Sequence, residues 1–269
     1  MNNLYFECKS GISGDMSVAA LLDLGASKEK LEKALTSMGL NDEFKYIISK
    51  KSVNAIMATD FDVILSHTEA EEANHHHHDH NHDNDNHHDH EHHHHHEHIH
   101  RNLDDVNAII DKADTTENAK DLAKKIFKIV AMAEAKVHGK DINEVHFHEV
   151  GAIDSIVDIV SFAVLFNDLK PEKVYFSPLT DGQGFVTCQH GKIPVPVPAV
   201  CEITASHKIP LKISDNNGEM VTPTGAAIVA ALYTGEKLPE SLIINKVGYG
   251  AGKRLYENPI LRVMSISDN

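Results

Sequence analysis

The chain has 269 residues, 41% of them hydrophobic, which is enough to build a core in one domain or two. It contains no run of about 18 apolar residues and no basic-then-apolar N-terminus, so neither a transmembrane helix nor a signal peptide is expected. The formal net charge of −15 argues against a nucleic-acid-binding surface, and the three widely spaced cysteines indicate a reducing compartment rather than a disulfide framework.

The N-terminal part, residues 1–66, contains the patterns of both helices and strands. Apolar residues recur at helical spacing in some stretches and alternate in others, with glycine or polar turns between them. The predicted elements are a strand at 4–6, helices at 16–24 and 28–38, and a hairpin of 43–50 with 53–65 that turns near Lys51 and Ser52.

Residues 67–101 form a polar insert dominated by histidine. Within 75–100 lie sixteen of the chain's 22 histidines and six Asp or Glu residues. This composition cannot build a core, so a flexible, disordered loop is expected. Dense imidazole favours Ni, Cu, Zn or Co over Ca or Mg. The predicted metal ligands are His75, His76, His77, His78, His92, His93, His94, His95 and His96. A purification tag and a surface loop that binds metal without consequence stay open as alternatives.

The remaining part, residues 102–269, continues the mixed pattern and is expected to be continuous with 1–66. Helices are predicted at about 103–112, 117–137, 154–169 and 224–233, and strands at 242–247 and 261–266, with short strands and Gly/Pro loops after Pro171. Helices and strands do not alternate regularly and no internal repeat is present. The predicted fold class is therefore α+β, a mixed α/β arrangement, with a disordered His-rich insert.

A second concentration of ligand-type side chains lies around one predicted turn. His146 and His148 share one face of an extended segment, Glu149 follows, and Asp154 and Asp158 share one face of the next helix. We predict His146, His148 and Asp158 as metal ligands, and Glu149, His148 and Asp154 as acid/base groups. The alternative is that Asp154 only caps the helix and the histidines are polar turn residues.

Two loops of small residues precede predicted helices, and such loops offer backbone N–H groups to a phosphate. The predicted phosphate-binding residues are Ser10, Gly11, Ser13, Gly14 and Asp15 in the first loop, and Thr222, Thr224 and Gly225 in the second. The first loop is not a P-loop, because the Gly-x4-Gly-Lys spacing is absent. Simple helix capping explains both loops at least as well as phosphate binding does. Lys9 is the only basic residue near either loop in the sequence. Cys8 is a soft metal ligand or a small buried hydrophobe, and the glycine-rich 248–252 is too generic to interpret.

These segments, taken together and in this order, resemble the LarC family of nickel insertion proteins. The matching stretches are LYFECKSGISGDM at 4–16, the His-rich insert, VHFHEVGAIDSIVDIV at 145–160, GFVTCQHGKIPVPVPAV at 184–200, GEMVTPTGAA at 218–227 and GYGAG at 248–252. The resemblance implies a cytoplasmic enzyme that inserts nickel into pyridinium-3,5-bisthiocarboxylic acid mononucleotide, using CTP with Mg²⁺ or Mn²⁺. In the product a carbon and two sulfurs hold the nickel, and the cofactor serves lactate racemase.

Members of the LarC family usually continue past the GYGAG region into a C-terminal domain linked to nucleotide use. This chain ends at Asn269, so we expect it to correspond to the N-terminal part, with the CTP site elsewhere. The implied partners are the mononucleotide, the C-terminal LarC domain and apo lactate racemase. A homo-oligomer stays open.

Two rival functions remain at this point. The first is a nickel storage or delivery protein without catalysis, for which the His-rich insert is the main device. The second is a metal-dependent hydrolase that uses His146, His148 and Asp158.

Overall fold

The computed structural model describes residues 3–66, 101–142, 153–188, 191–254, 256 and 258–268. Several predicted site residues lie outside these ranges, and their proposed roles stay predictions. They are His75, His76, His77, His78, His92, His93, His94, His95, His96, His146, His148 and Glu149.

The described residues form seven helices and ten strands, which confirms the predicted α+β class. In chain order they are β1 (Asn3–Glu7), α1 (Gly14–Leu24), α2 (Lys28–Ser37), β2 (Phe44–Val53), β3 (Ile56–Leu65), α3 (Leu103–Lys112), α4 (Glu117–His138), α5 (Ile153–Leu169), β4 (Val174–Phe176), β5 (Leu179–Gln183), β6 (Phe185–Cys188), β7 (Gly191–Pro194), α6 (Pro198–His207), β8 (Leu211–Asn217), α7 (Pro223–Leu232), β9 (Leu242–Ala251) and β10 (Ile260–Asp268).

The main sheet has six strands in the order β2-β3-β9-β10-β1-β4. It is mixed, because β1 runs parallel to β4 but antiparallel to β10. Helix α1 packs on β9, β3 and β10, and α5 packs against α1, α2 and α4. Helix α4 in turn contacts α6 and α7. One buried cluster joins side chains from both sides of the His-rich insert, such as Phe6, Phe44, Ile110 and Val229.

Helix α1 approaches strand β9 closely because two glycines of the strand carry no side chain. A Cβ on Gly250 would stand 2.0 Å from the carbonyl oxygen of Met16, and one on Gly248 would stand 2.1 Å from that of Ala20. Both distances are far below van der Waals contact, so only glycine permits this packing. The glycines of strand β9 therefore allow α1, and with it the loop before α1, to pack directly on the sheet.

The ends of several helices agree with the sequence signals. Helix α1 ends at Gly25 and α4 at Gly139, both in the left-handed conformation. The side chain of Ser27 caps α2, as its position predicted. Among the described residues, no helix combines the length and apolarity needed to cross a membrane.

The predicted position of the hairpin turn is wrong. The turn lies at Asn54 and Ala55, not near Lys51 and Ser52, and the strands pair as far as Val53 with Ile56. Asn54 and Ala55 both have positive φ, as the mirror-image turns that match strand twist require. The polar residues before the turn are therefore part of an exposed strand.

Helix α6 stands where only short strands and loops were predicted. Pro198 is its first residue, a position where the missing N–H of proline costs no hydrogen bond. Its buried residues Ala199, Val200 and Ile203 belong to the main cluster, beside α4 and α7. The alternating prolines before this helix are typical of a loop, so the sequence pattern did not predict that a helix begins there.

Candidate functional site

A cavity of about 290 Å³, called here the first cavity, lies where five segments meet. These segments are the start of α1 with the residue before it, the end of strand β3, the first described turn of α5, the start of α7 with the loop before it, and the chain that follows β9. The predicted site residues that line it are Ser13, Gly14, Asp15, Asp154, Asp158, Thr222 and Thr224. The structure thus brings together residues from three separate sequence motifs.

The two predicted phosphate loops are direct neighbours. The backbone N–H of Ile12 donates to the carbonyl oxygen of Met220 at 3.0 Å, and the N–H of Thr222 donates to that of Ile12 at 3.1 Å. The hydroxyl of Tyr256 also donates to the carbonyl oxygen of Ser10 at 2.7 Å. Ser10 and Gly11 therefore serve as loop backbone and do not line the first cavity.

A buried carboxylate that the sequence patterns did not single out holds the second loop in place. Asp181 is fully buried on strand β5, and its Oδ1 accepts the backbone N–H groups of Gly182 at 2.8 Å, Met220 at 2.7 Å and Val221 at 3.1 Å. Burial raises the pKa of this carboxyl. Its one sequence signal is a polar residue in the middle of a strand.

The protein's own carboxylates occupy the N-terminus of α1. Ser13 is the N-cap by position, but its hydroxyl donates to Asp15 Oδ1, which also accepts the N–H of Met16 at 2.9 Å. Asp158 accepts a hydrogen bond from the backbone N–H of Asp15. The N–H groups that a phosphate was expected to use at this loop are thus partly engaged already.

Asp158 is a strongly perturbed carboxyl at the first cavity. Burial raises the pKa of its carboxyl well above the usual range, and the neighbouring carboxylates of Asp15 and Asp154 raise it further. Its Oδ1 is buried and has no hydrogen-bond partner among the described residues. Groups with this combination of burial, like charge and cavity position cluster at functional sites.

Two cations also line the first cavity, although the sequence shows no basic cluster beside either loop. Lys253 and Arg254 follow strand β9, and the sheet places them next to residues about 240 positions earlier in the chain. Lys253 pairs with Asp62, and Arg254 pairs with the buried carboxylate of Glu219. Lys9, the expected neighbour, instead pairs with Glu7.

No three His, Cys, Asp or Glu side chains of the described ranges lie close enough together to hold a metal ion. The predicted partners of Asp158, His146 and His148, fall outside those ranges, so the metal site stays a prediction. Cys8 is fully buried, and burial raises the pKa of its thiol. This is the environment of a small buried hydrophobe rather than of a metal ligand.

Comparisons with known proteins identify the family. The model of the family described as "Nickel insertion protein" matches residues 4–269. The chain is 50% identical to the pyridinium-3,5-bisthiocarboxylic acid mononucleotide nickel insertion protein of Alkaliphilus metalliredigens over 269 residues, which is 100% of this chain and 61% of that relative.

Two further relatives carry the same name. The protein of Acetivibrio thermocellus is 48% identical, with 94% of this chain and 57% of the relative covered, and that of Clostridium acetobutylicum is 48% identical, with 98% and 63% covered. The chain thus spans about three fifths of the length of these relatives. No solved structure matches it. The resemblance drawn from the sequence motifs is confirmed, and the chain belongs to the nickel insertion protein (LarC) family.

Proposed function

We propose that this chain contains the nickel-inserting site of a protein that converts pyridinium-3,5-bisthiocarboxylic acid mononucleotide into the nickel-pincer nucleotide. The relatives' names supply the reaction and the substrate. The observation that carries the proposal is the first cavity, where carboxylates and cations from distant motifs meet. A mononucleotide and a metal ion need both kinds of group.

The phosphate end of the substrate belongs at the α7 side of the first cavity. Pro223 has no N–H and Thr222 Oγ1 accepts the N–H of Gly225 at 3.1 Å, so Thr224 is the first residue of α7 that can offer an N–H to a ligand. Lys253 and Arg254 line the same cavity and add positive charge. The Ser10–Asp15 loop supports this side mainly through its bonds to residues 220–222.

The metal and the reacting carbon belong at the acidic side. Forming a nickel–carbon bond requires a proton to leave the ring carbon, and a carboxylate or imidazole can accept it. Our proposed acid/base groups are Glu149, His148 and Asp154. The proposed nickel ligands are His146, His148 and Asp158, with the histidines of the 75–100 tract collecting nickel beforehand.

The nucleotide-dependent part of the reaction is assigned to a separate domain. By resemblance to the LarC family, the complete protein is a cytoplasmic lyase that uses CTP with Mg²⁺ or Mn²⁺ and serves lactate racemase. Four carboxyl groups line the first cavity among the described residues, those of Asp15, Asp154, Asp158 and Glu219, against the two cations Lys253 and Arg254. This excess of acidic groups would repel a triphosphate, which disfavours CTP there. We therefore place CTP turnover in the C-terminal LarC domain.

Mass spectrometry of the small molecule tests this proposal. The chain is incubated with precursor, Ni²⁺, CTP and Mg²⁺, with and without the C-terminal half of a close relative. We expect the nickel-containing product only when both halves are present. Robust CTP turnover by this chain alone would contradict the division of labour, and absence of product with both halves would contradict the proposed reaction.

Nickel storage or delivery is the second candidate, favoured by the sixteen histidines within 75–100. Deletion of this tract separates the two functions. Storage capacity should disappear with the tract, whereas an insertase should keep its activity when nickel is plentiful.

A further inference from the structure

Tyr256 is the one aromatic side chain among the described residues that line the first cavity. It lies two positions after Arg254, to whose carbonyl oxygen its backbone N–H donates at 3.3 Å. The Cα atoms of two residues with this spacing are at most about 7 Å apart, a distance comparable to the length of a ribose 5-phosphate. A phosphate at Arg254 and an aromatic ring at Tyr256 therefore fit one mononucleotide.

The ring of Tyr256 is held in place at both ends of the side chain. Its hydroxyl donates to the carbonyl oxygen of Ser10 at 2.7 Å, and Ser10 does not line the first cavity. The hydroxyl is thus engaged behind the cavity wall, and the ring is the part of the side chain left to line the cavity. Tyr256 is half-buried, so some of its area stays open to a ligand. A ring fixed in advance loses little conformational freedom when a ligand stacks on it.

The surroundings of this ring are acidic. Burial raises the pKa of the Tyr256 hydroxyl, and the nearby carboxylate of Asp15 raises it further. The two cations that line the cavity, Lys253 and Arg254, both have carboxylate partners. An aromatic face beside carboxyl groups that outnumber the cations favours a positively charged ring over a neutral one.

A second cavity of about 260 Å³ adjoins the first, and Glu219, Pro223 and Arg254 line both. The described walls of the second cavity include no Phe, Tyr or Trp, so they offer a cationic ring no aromatic face. Of the two spaces that border Arg254, the first therefore suits a charged ring better. This agrees with the acidic side of the first cavity as the place of the reacting carbon.

We propose that Tyr256 is a specificity-determining residue that stacks on the pyridinium ring of the substrate and selects its positive charge, with Asp15 beside it. The inference rests on the proposed function for the identity of the ligand, and it deepens that function by naming the group that recognises the ring. The plain alternative is that Tyr256 only supports the Ser10–Asp15 loop through its hydroxyl.

Two ligands that differ in ring charge test the proposal on the full chain. Nicotinamide mononucleotide has a cationic pyridinium ring, and its reduced form has a neutral dihydropyridine ring on the same ribose 5-phosphate. Both are titrated by calorimetry in EDTA, so that metal bound to the His-rich tract does not contribute. The ratio of the two affinities isolates the ring, because the carboxylates repel the phosphate of both ligands alike. We expect the pyridinium form to bind wild type about tenfold more tightly.

Two substitutions separate the ring of Tyr256 from its hydroxyl. Tyr256→Phe keeps the aromatic face and loses the hydrogen bond to Ser10, whereas Tyr256→Leu loses both. We expect the preference to persist in Tyr256→Phe and to fall below about threefold in Tyr256→Leu. Tyr249→Leu, a matched change on β9 outside the first cavity, should leave the preference unchanged. Melting curves show whether each variant is folded.

Equal affinities in wild type, or no binding of the pyridinium form, would overturn the proposal without recourse to any variant. A preference kept by Tyr256→Leu would assign it to other groups, and one lost in Tyr256→Phe would leave Tyr256 as loop support alone; either result overturns the proposal. Formation of the nickel-containing product by wild type with the C-terminal half is measured in parallel. Product without the charge preference would contradict only this inference, whereas the preference without product would contradict only the proposed function.

Discussion

Asp158 lies directly against Gly14. Asp158 Oδ2 stands 2.5 Å from the point where a Cβ on Gly14 would be placed, so the carboxylate sits on the N-terminus of α1. The helix dipole there favours the negative charge, while burial and two neighbouring carboxylates oppose it. The first cavity is thus a site where a charge is held at a cost to stability, as is common where function requires it.

The stability cost predicts the effect of Asp158→Asn. The folded-state pKa of Asp158 is raised, so this carboxyl binds more proton in the native state than in the unfolded state, and its own contribution to wild-type stability falls as pH rises from about 4. The asparagine side chain does not ionise, so the variant does not lose this stability as pH rises. We expect the free energy of unfolding of the variant to match wild type near pH 3.5 and to exceed it at pH 8 by on the order of 1 kcal/mol.

Chemical denaturation across pH, with Asp42→Asn as an exposed control, measures this difference. A gap between variant and wild type that shrinks as pH rises would contradict the assigned environment of Asp158.

The contact between Gly14 and Asp158 makes a second prediction. Gly14→Ala places a methyl group against the carboxylate and should destabilise the fold by about 1–3 kcal/mol. Asp158→Ala removes the obstacle, so the double variant should recover part of that loss. A double-mutant cycle by thermal unfolding checks it. Additive effects would mean that the two residues do not meet.

Asp181 should act as the support of the second loop. Asp181→Ala leaves three backbone N–H groups without their acceptor and should cost about 2–4 kcal/mol, whereas Asp181→Asn keeps an acceptor and should cost less. Hydrogen exchange at Met220 and Val221 reports the effect locally. Equal protection of these amides in wild type and Asp181→Ala would refute the role.

Lys253 and Asp158 should affect phosphate binding in opposite directions. Lys253→Ala should weaken affinity for the precursor mononucleotide about tenfold, more at low salt, because it removes the positive charge that offsets the carboxylates. At a pH where Asp158 is ionised, Asp158→Asn should strengthen binding, because one repulsive charge disappears. Calorimetry at two salt concentrations, with Lys51→Ala as an exposed control, tests both. If both substitutions changed the affinity in the same direction, a phosphate in the first cavity would be excluded.

The His-rich tract should bind several nickel ions and contribute little to folding. Deletion of 75–100 should remove most sites, and binding to the tract should weaken as pH falls through about 6.5, where imidazole protonates. Calorimetric stoichiometry and a melting curve check both parts. Unchanged stoichiometry would refute the assignment.

Local patterns in the sequence predicted most helices well because their signals are local. Glycines end helices α1 and α4, and the Ser27 side chain caps the start of α2. Each of these signals lies within one turn of the helix end that it sets. Helix α6 was missed because its proline start carries the same signal as a loop. The hairpin turn was misplaced because its two residues, Asn54 and Ala55, include no glycine, which is the usual sequence signal of such a turn.

The candidate site was predictable only in part. Motifs such as Ser10–Asp15 and Thr222–Gly225 could be identified one by one, but not the hydrogen bonds that join them. Lys253 and Arg254 could not be assigned, because only the pairing of β9 with β10 and β3 carries them to the loops. Asp181 was missed because a single buried carboxylate in a strand has no pattern around it.

Nickel insertion by variants of the first cavity tests the central claim most directly. The chain is combined with the C-terminal half, precursor, Ni²⁺, CTP and Mg²⁺, and the nickel-containing product is quantified by mass spectrometry. We expect Asp158→Asn and Lys253→Ala to lower the initial rate at least tenfold, and Asp111→Asn, a surface change on α3, to leave it unchanged. Wild-type rates in both Asp158→Asn and Lys253→Ala would contradict the claim that nickel is inserted in this cavity.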